Sequence, residues 1–109
     1  MKSKFRIYGV SLRMVGEVAA LAQRIERKDR DLARQLRRSS AAVPLNMSEG
    51  MHLTGGNRTA RYRTAMAEAA EAATTLLVAQ ASGYLDGIDL DATLDRLEHI
   101  KAVMWKMTH

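Results

Sequence analysis

The chain has 109 residues, no cysteine, a single proline and a net charge of +5. That length suits one domain with one core, and the missing cysteines exclude disulfides, cysteine zinc sites and thiol chemistry. No apolar run is long enough to span a bilayer, and abundant Ala, Leu, Met and Arg beside few aromatics favour an all-helical protein.

Met1-Lys2-Ser3-Lys4 and Ala20-Leu21-Ala22 mimic the two ends of a signal peptide. Arg13 and Glu17 interrupt what would be its apolar centre, so a soluble, cytoplasmic protein is expected instead. Residues 1–8 are basic, carry two aromatics and read as an irregular arm. A first helix is expected over about 11–27, capped by Ser11, with Val10, Met14, Val18, Leu21 and Ile25 as its apolar stripe. Arg24, Arg27 and Lys28 at its end suit the negative end of the helix dipole.

The very short link Lys28-Asp29-Arg30 implies that the next helix, about 30–52, lies antiparallel to the first. Asp29 is placed to cap it. At about 100° per residue, Leu32, Leu36, Ser40, Val43 and Met47 fall on one face, and Arg30, Arg34, Arg37 and Arg38 on the other. Pro44 removes a backbone donor and is expected to kink or split the helix. Leu53-Thr54-Gly55-Gly56-Asn57 is the clearest loop, with Thr54 or Asn57 available as a cap. A third helix then runs over about 58–84, with Tyr62, Met66, Ala69, Ala73, Leu76, Leu77 and Gln80 inward. Its many alanines make it thin enough for close approach, and its apolar breadth suggests contacts inside and between subunits. Gly83, Asp86 and Gly87 form a turn, and Asp89 reads as the cap of a fourth helix over about 89–107. Leu90, Leu94, Leu97, Ile100, Met104 and Met107 point inward there. Trp105, at the edge of that stripe, is either an interface anchor or a cover for the core. The reading is one domain over 1–109, an all-α, antiparallel up-down-up-down four-helix bundle.

The segment from Gln35 to Gly50 is the most distinctive. Gln35-Leu36-Arg37-Arg38, a small-residue stretch, then Asn46-x-x-Glu49-Gly50, followed by a glycine-bearing linker and an alanine-rich helix carrying Glu71, Leu76 and Leu77, resembles the four-helix bundle family whose founders are encoded in intervening sequences of bacterial 23S ribosomal RNA genes. The chain departs from the family pattern at Ala67-Glu68, where Gly-Ser is common. The resemblance implies a homo-oligomer, a ring of five. It also implies a more distant similarity to accessory proteins of the reverse transcriptases of diversity-generating retroelements, which bind RNA and the enzyme.

Catalytic chemistry finds little support. A carboxylate-bridged metal pair needs two Glu-x-x-His motifs with two further glutamates. The chain has one, Glu49 to His52, and Glu68, Glu71, His99 and His109 supply no second. No nucleophile elbow occurs, and Gly55-Gly56 lacks the Lys-Ser/Thr of a phosphate loop. No enzyme activity, metal or cofactor is expected. Asn46 and Glu49 are helix-surface neighbours. They read either as a polar site or as partners of Arg37 or Arg38 in a neighbouring subunit, with Gly50 permitting close passage.

The charges are the functional lead. Residues 1–63 hold 14 Lys and Arg against 5 acids, while residues 64–109 hold 3 against 7. Arg30, Arg34, Arg37 and Arg38 on one helix face, with Arg58, Arg61 and Arg63 beyond the loop, suit phosphate because the guanidinium fork stays charged and bonds bidentately. The expected function is a non-enzymatic, basic, oligomeric accessory or scaffold protein. It would bind RNA or DNA by the backbone, with a reverse transcriptase or other protein as partner and no membrane. The alternative is a structural or protein-interaction oligomer whose arginines bridge to the acidic half of a neighbour.

Overall fold

The computed structural model describes residues 2–109, with side-chain surroundings from Arg6 onward. Four α-helices make up the fold: α1 (Lys2–Glu26), α2 (Arg30–Met51), α3 (Gly55–Ala81) and α4 (Asp91–Thr108). No strand occurs among the described residues. Helix α2 packs against α1 and α3, α3 against α4, and α4 against α1, so the four surround one core. None of these helices is long and apolar enough to cross a membrane.

The first helix corrects the sequence reading. Lys2 to Tyr8 is helical, not an irregular arm, and only Met1 of that segment lies outside the described residues. Ile7 is buried, and Ser11, also buried, caps nothing: its hydroxyl donates to the Tyr8 carbonyl at 2.6 Å. A serine inside a helix bonds back to the preceding turn in this way. The buried stripe of α1 is therefore Ile7, Ser11, Met14, Val18, Ala22 and Ile25, with Val10 and Leu21 half-buried at its edge. Each large apolar side chain so buried contributes about 1.5–3 kcal/mol.

Asp29 caps α2 as its position predicts, accepting the Leu32 amide at 2.9 Å. Pro44 does not split α2. The helix is continuous from Arg30 to Met51 with Pro44 buried inside it. Thr54 occupies the N-cap position of α3 without a side-chain bond, and the helix starts at Gly55. Helix α3 ends at Ala81, earlier than expected, because Gly83 takes the left-handed conformation (φ 81°). The Tyr84 amide then returns to the Ala79 carbonyl and the Gly83 amide to Gln80, which satisfies the last carbonyls. Asp89 is not the cap of α4: Leu90 holds the N-cap position, and the Asp89 carboxylate accepts the Asp91 amide at 2.9 Å from one residue further back.

The inward face of α3 is rotated from the expected one. Tyr62, Ala65, Ala69, Ala72, Leu76 and Ala79 are buried, whereas Leu77 is 48% exposed and Gln80 lies outside. Tyr62 fixes this rotation. Its ring edge occupies the place where a side chain at Gly50 would sit, with Cδ1 2.7 Å from an ideal Cβ. Gly50 thus lets Tyr62 in against α2, and the alanines below keep the two helices close.

Candidate nucleic-acid interface

The basic residues singled out in the sequence form two groups. Arg30, Arg34, Arg37 and Arg38 share the exposed side of α2. Arg61 pairs with Glu49 at 2.9 Å. Glu49 lies 15 residues along α2 from Arg34, or about 22 Å at 1.5 Å per residue. Arg58 is half-buried, with Nε donating to the Leu53 carbonyl at 2.8 Å, and Arg63 is exposed without an ion-pair partner among the described residues.

Four of the seven arginines are ion-paired inside their own chain. Arg34 pairs with Asp31 at 2.5 Å. Arg37 reaches back to Glu26 of α1, whose carboxyl is held below its ordinary range by the hydrogen bond and charge of that guanidinium. Arg38 turns the other way, bonding Glu68 at 3.2 Å and also Glu71, both on α3. These carboxylates raise the pKa of Arg38, Glu68 most. Glu68 is the residue at which the chain departs from the family pattern, so the departure supplies half of this clamp. The Arg34 and Arg37 pairs are exposed on both sides, so each adds little to stability, whereas the Glu68 carboxylate of the Arg38 clamp is mostly covered.

The signature polar pair is likewise internal. Asn46 donates to the Ala42 carbonyl at 2.9 Å and accepts from Arg61 at 3.4 Å. Within the chain, Arg61 is the partner of both Asn46 and Glu49. Gln35 is exposed and lines a groove between α2 and α3 with Leu32, Thr74 and Val78. His52 Nδ1 donates to the Ser48 carbonyl at 2.8 Å, and the ring does not converge with Glu49.

Sequence reasoning passed over two residues that the fold places beside the α2 arginines. Arg27 and Lys28, assigned there to the helix dipole alone, line an open depression of ≈ 960 Å³ with Arg30, Arg34 and Arg37. Its three acids are already committed: Glu26 to Arg37, Asp31 to Arg34 and Asp29 to the α2 amide. Arg27, Lys28 and Arg30 have no ion-pair partner among the described residues. The signal available in the sequence was the three-residue connection itself, which gathers the end of one helix and the start of the next. Backbone recognition of a polyanion requires such a surplus of positive charge.

A crystal structure of a protein of unknown function from the S23 ribosomal protein family of Bacteroides thetaiotaomicron is similar to this chain. The TM-score is 0.84 at 14% identity, covering 94% of this chain and 97% of that one. The likeness establishes the fold. No curated protein matches the chain. The model of the 23S rRNA-intervening sequence protein family matches residues 3–106, nearly the whole chain, and the protein belongs to that family.

Proposed function

We propose that the protein is a non-enzymatic helical scaffold that holds the phosphate backbone of RNA or DNA and presents it to a partner protein in a reducing cytoplasm. The observation that carries this reading is the depression at the α1–α2 turn, where the basic side chains of Arg27, Lys28, Arg30, Arg34 and Arg37 outnumber the carboxylates of Glu26, Asp29 and Asp31, and Arg27, Lys28 and Arg30 form no ion pair among the described residues. Arg34 and Arg37 lie beside them and can exchange a carboxylate for a phosphate at little cost, because their present pairs are exposed. A reverse transcriptase, the partner of the more distant accessory bundles, is the class of enzyme that such a scaffold would serve.

The bundle is read as up-down-up-down, assembled into a ring of five. Ion pairs support the direction: Arg38 of α2 meets Glu68 and Glu71 of α3, while Glu49, further along α2, meets the earlier Arg61. Exposed Leu77, Val78 and Trp105 are available for subunit contacts. In the alternative, the arginines bridge subunits, and Arg37, Arg38 and Arg61 would exchange their partners within the chain for acids of a neighbour.

The test is fluorescence-anisotropy titration of labelled structured RNA and duplex DNA across a salt series, with sedimentation of the protein alone. Wild type is expected to bind, more weakly as salt rises. A Lys28→Gln/Arg30→Gln/Arg34→Gln variant of unchanged assembly is expected to lower the slope of log K against log salt by about 3. Absence of wild-type binding at low salt refutes the nucleic-acid reading. Dissociation of the oligomer by salt, without any such binding, favours the subunit-bridging alternative.

A further inference from the structure

Extension of α1 to Lys2 creates a surface that no arm could provide. Arg6, Arg13, Arg24 and Arg27 are all exposed, and so are Gly9, Gly16 and Ala20 between them. At about 100° per residue these seven positions fall within about 80° of one another, on the side opposite the buried stripe. They form a straight row about 32 Å long from Arg6 to Arg27.

The row keeps its charge because other helices take the acids. Helix α1 has two carboxylates, Glu17 and Glu26. Arg96 of α4 donates from Nε to both oxygens of Glu17, at 2.9 and 3.0 Å, and Arg37 of α2 takes Glu26. None of the four row arginines has an ion-pair partner among the described residues.

Gly9 and Gly16 lack any reason internal to the fold. A Cβ at either would meet nothing within 4 Å, yet glycine inside a helix is destabilising relative to alanine. Bare backbone between arginines lets another backbone approach closely. Among the described residues, the one large apolar side chain exposed beside the row is Leu12, too little for the broad apolar face of a membrane-surface helix.

We infer that the outward face of α1 is the docking line of a nucleic-acid duplex, whose sugar-phosphate ridges cross the row so that phosphates meet Arg6, Arg13, Arg24 and Arg27, with the bare backbone at Gly9 and Gly16 admitting close approach. The inference rests on the nucleic-acid reading above and extends it from the α1–α2 turn along the whole of α1. A duplex fits because it is straight over this distance, close to one turn of about 34–36 Å, whereas a flexible single strand would have to be stretched along the row.

Two variants test the row: Arg6→Gln/Arg13→Gln/Arg24→Gln, which removes charge, and Gly9→Glu/Gly16→Glu, which adds opposing charge where the fold has room. Both are titrated with duplex RNA, duplex DNA and an unstructured single strand of equal length, and their assembly is checked by sedimentation. Expected for the first is a salt slope reduced by about 3, and for the second a loss of duplex binding, both with wild-type assembly. If wild type binds duplex and both variants bind equally well, the inference is overturned while the function stands. If wild type binds neither duplex nor single strand, the functional reading fails with it. Tighter binding to the single strand, binding only to vesicles of anionic lipid, or loss of assembly in the first variant each overturns the duplex assignment.

Discussion

Glycine-to-alanine substitution at two helical positions is expected to act with opposite sign. At Gly16 the new methyl meets nothing within 4 Å, so the change trades a poor helix former for the best one. The gain is about 0.4–1 kcal/mol. At Gly50 the same methyl falls on the Tyr62 ring, with Cδ1 at 2.7 Å from the ideal Cβ, well inside van der Waals contact. Tyr62 is fully buried, so its ring cannot swing into solvent, and either it or α2 must shift. Overpacking of this kind costs about 1–3 kcal/mol, and the propensity gain offsets part of it. The expected net loss is about 1–2 kcal/mol, a fall of several degrees in Tm for a domain of this size. Urea unfolding followed by helical circular dichroism, at one fixed protomer concentration, measures both. Coupling is the sharper test: in a Tyr62→Leu background the Gly50→Ala penalty is expected to shrink to about 0.5 kcal/mol or less. A stabilising Gly50→Ala, or an undiminished penalty without the ring, would refute the account of why glycine stands at that position.

Two further outcomes follow from single contacts. Asp29→Ala removes the side chain that accepts the Leu32 amide and is expected to cost about 1 kcal/mol; Asp29→Asn, which keeps an acceptor, is expected to retain most of that stability in the same unfolding assay. The Tyr62 hydroxyl is buried with no hydrogen-bond partner, and burial pushes its pKa up, with Arg58 opposing. The folded state therefore holds this proton after the unfolded chain has released it, so stability is full below about pH 10 and declines as pH rises beyond it. Tyr62→Phe is expected to be more stable at neutral pH by about 1 kcal/mol and to lose less stability in alkali. An equal alkaline decline in both proteins would contradict the assignment.

Helix number, the places of the three connections, the Asp29 cap and the exposed arginine face of α2 follow from local rules that act on a few adjacent residues. Apolar periodicity, a capping carboxylate and paired glycines need no partner to be effective. The errors arose where a distant residue decides. Ser11 before an apolar stripe has the form of a cap, and only the burial of Ile7 against the rest of the core shows that the helix continues through it. Leu77 has the larger apolar side chain, yet α3 turns its alanines inward, because Tyr62 seats over Gly50 and sets the rotation of the whole helix. Charge behaves in the same way. The sequence by itself determined that the first half is basic. Tertiary structure decided which cations are spoken for, giving Glu26 to Arg37, Glu17 to Arg96 and Glu68 to Arg38 across helix pairs up to 79 residues apart. Ion pairing depends on distance in space, which sequence spacing reports only within a single helix, so the arginines left over could be identified only after the helices had been packed together.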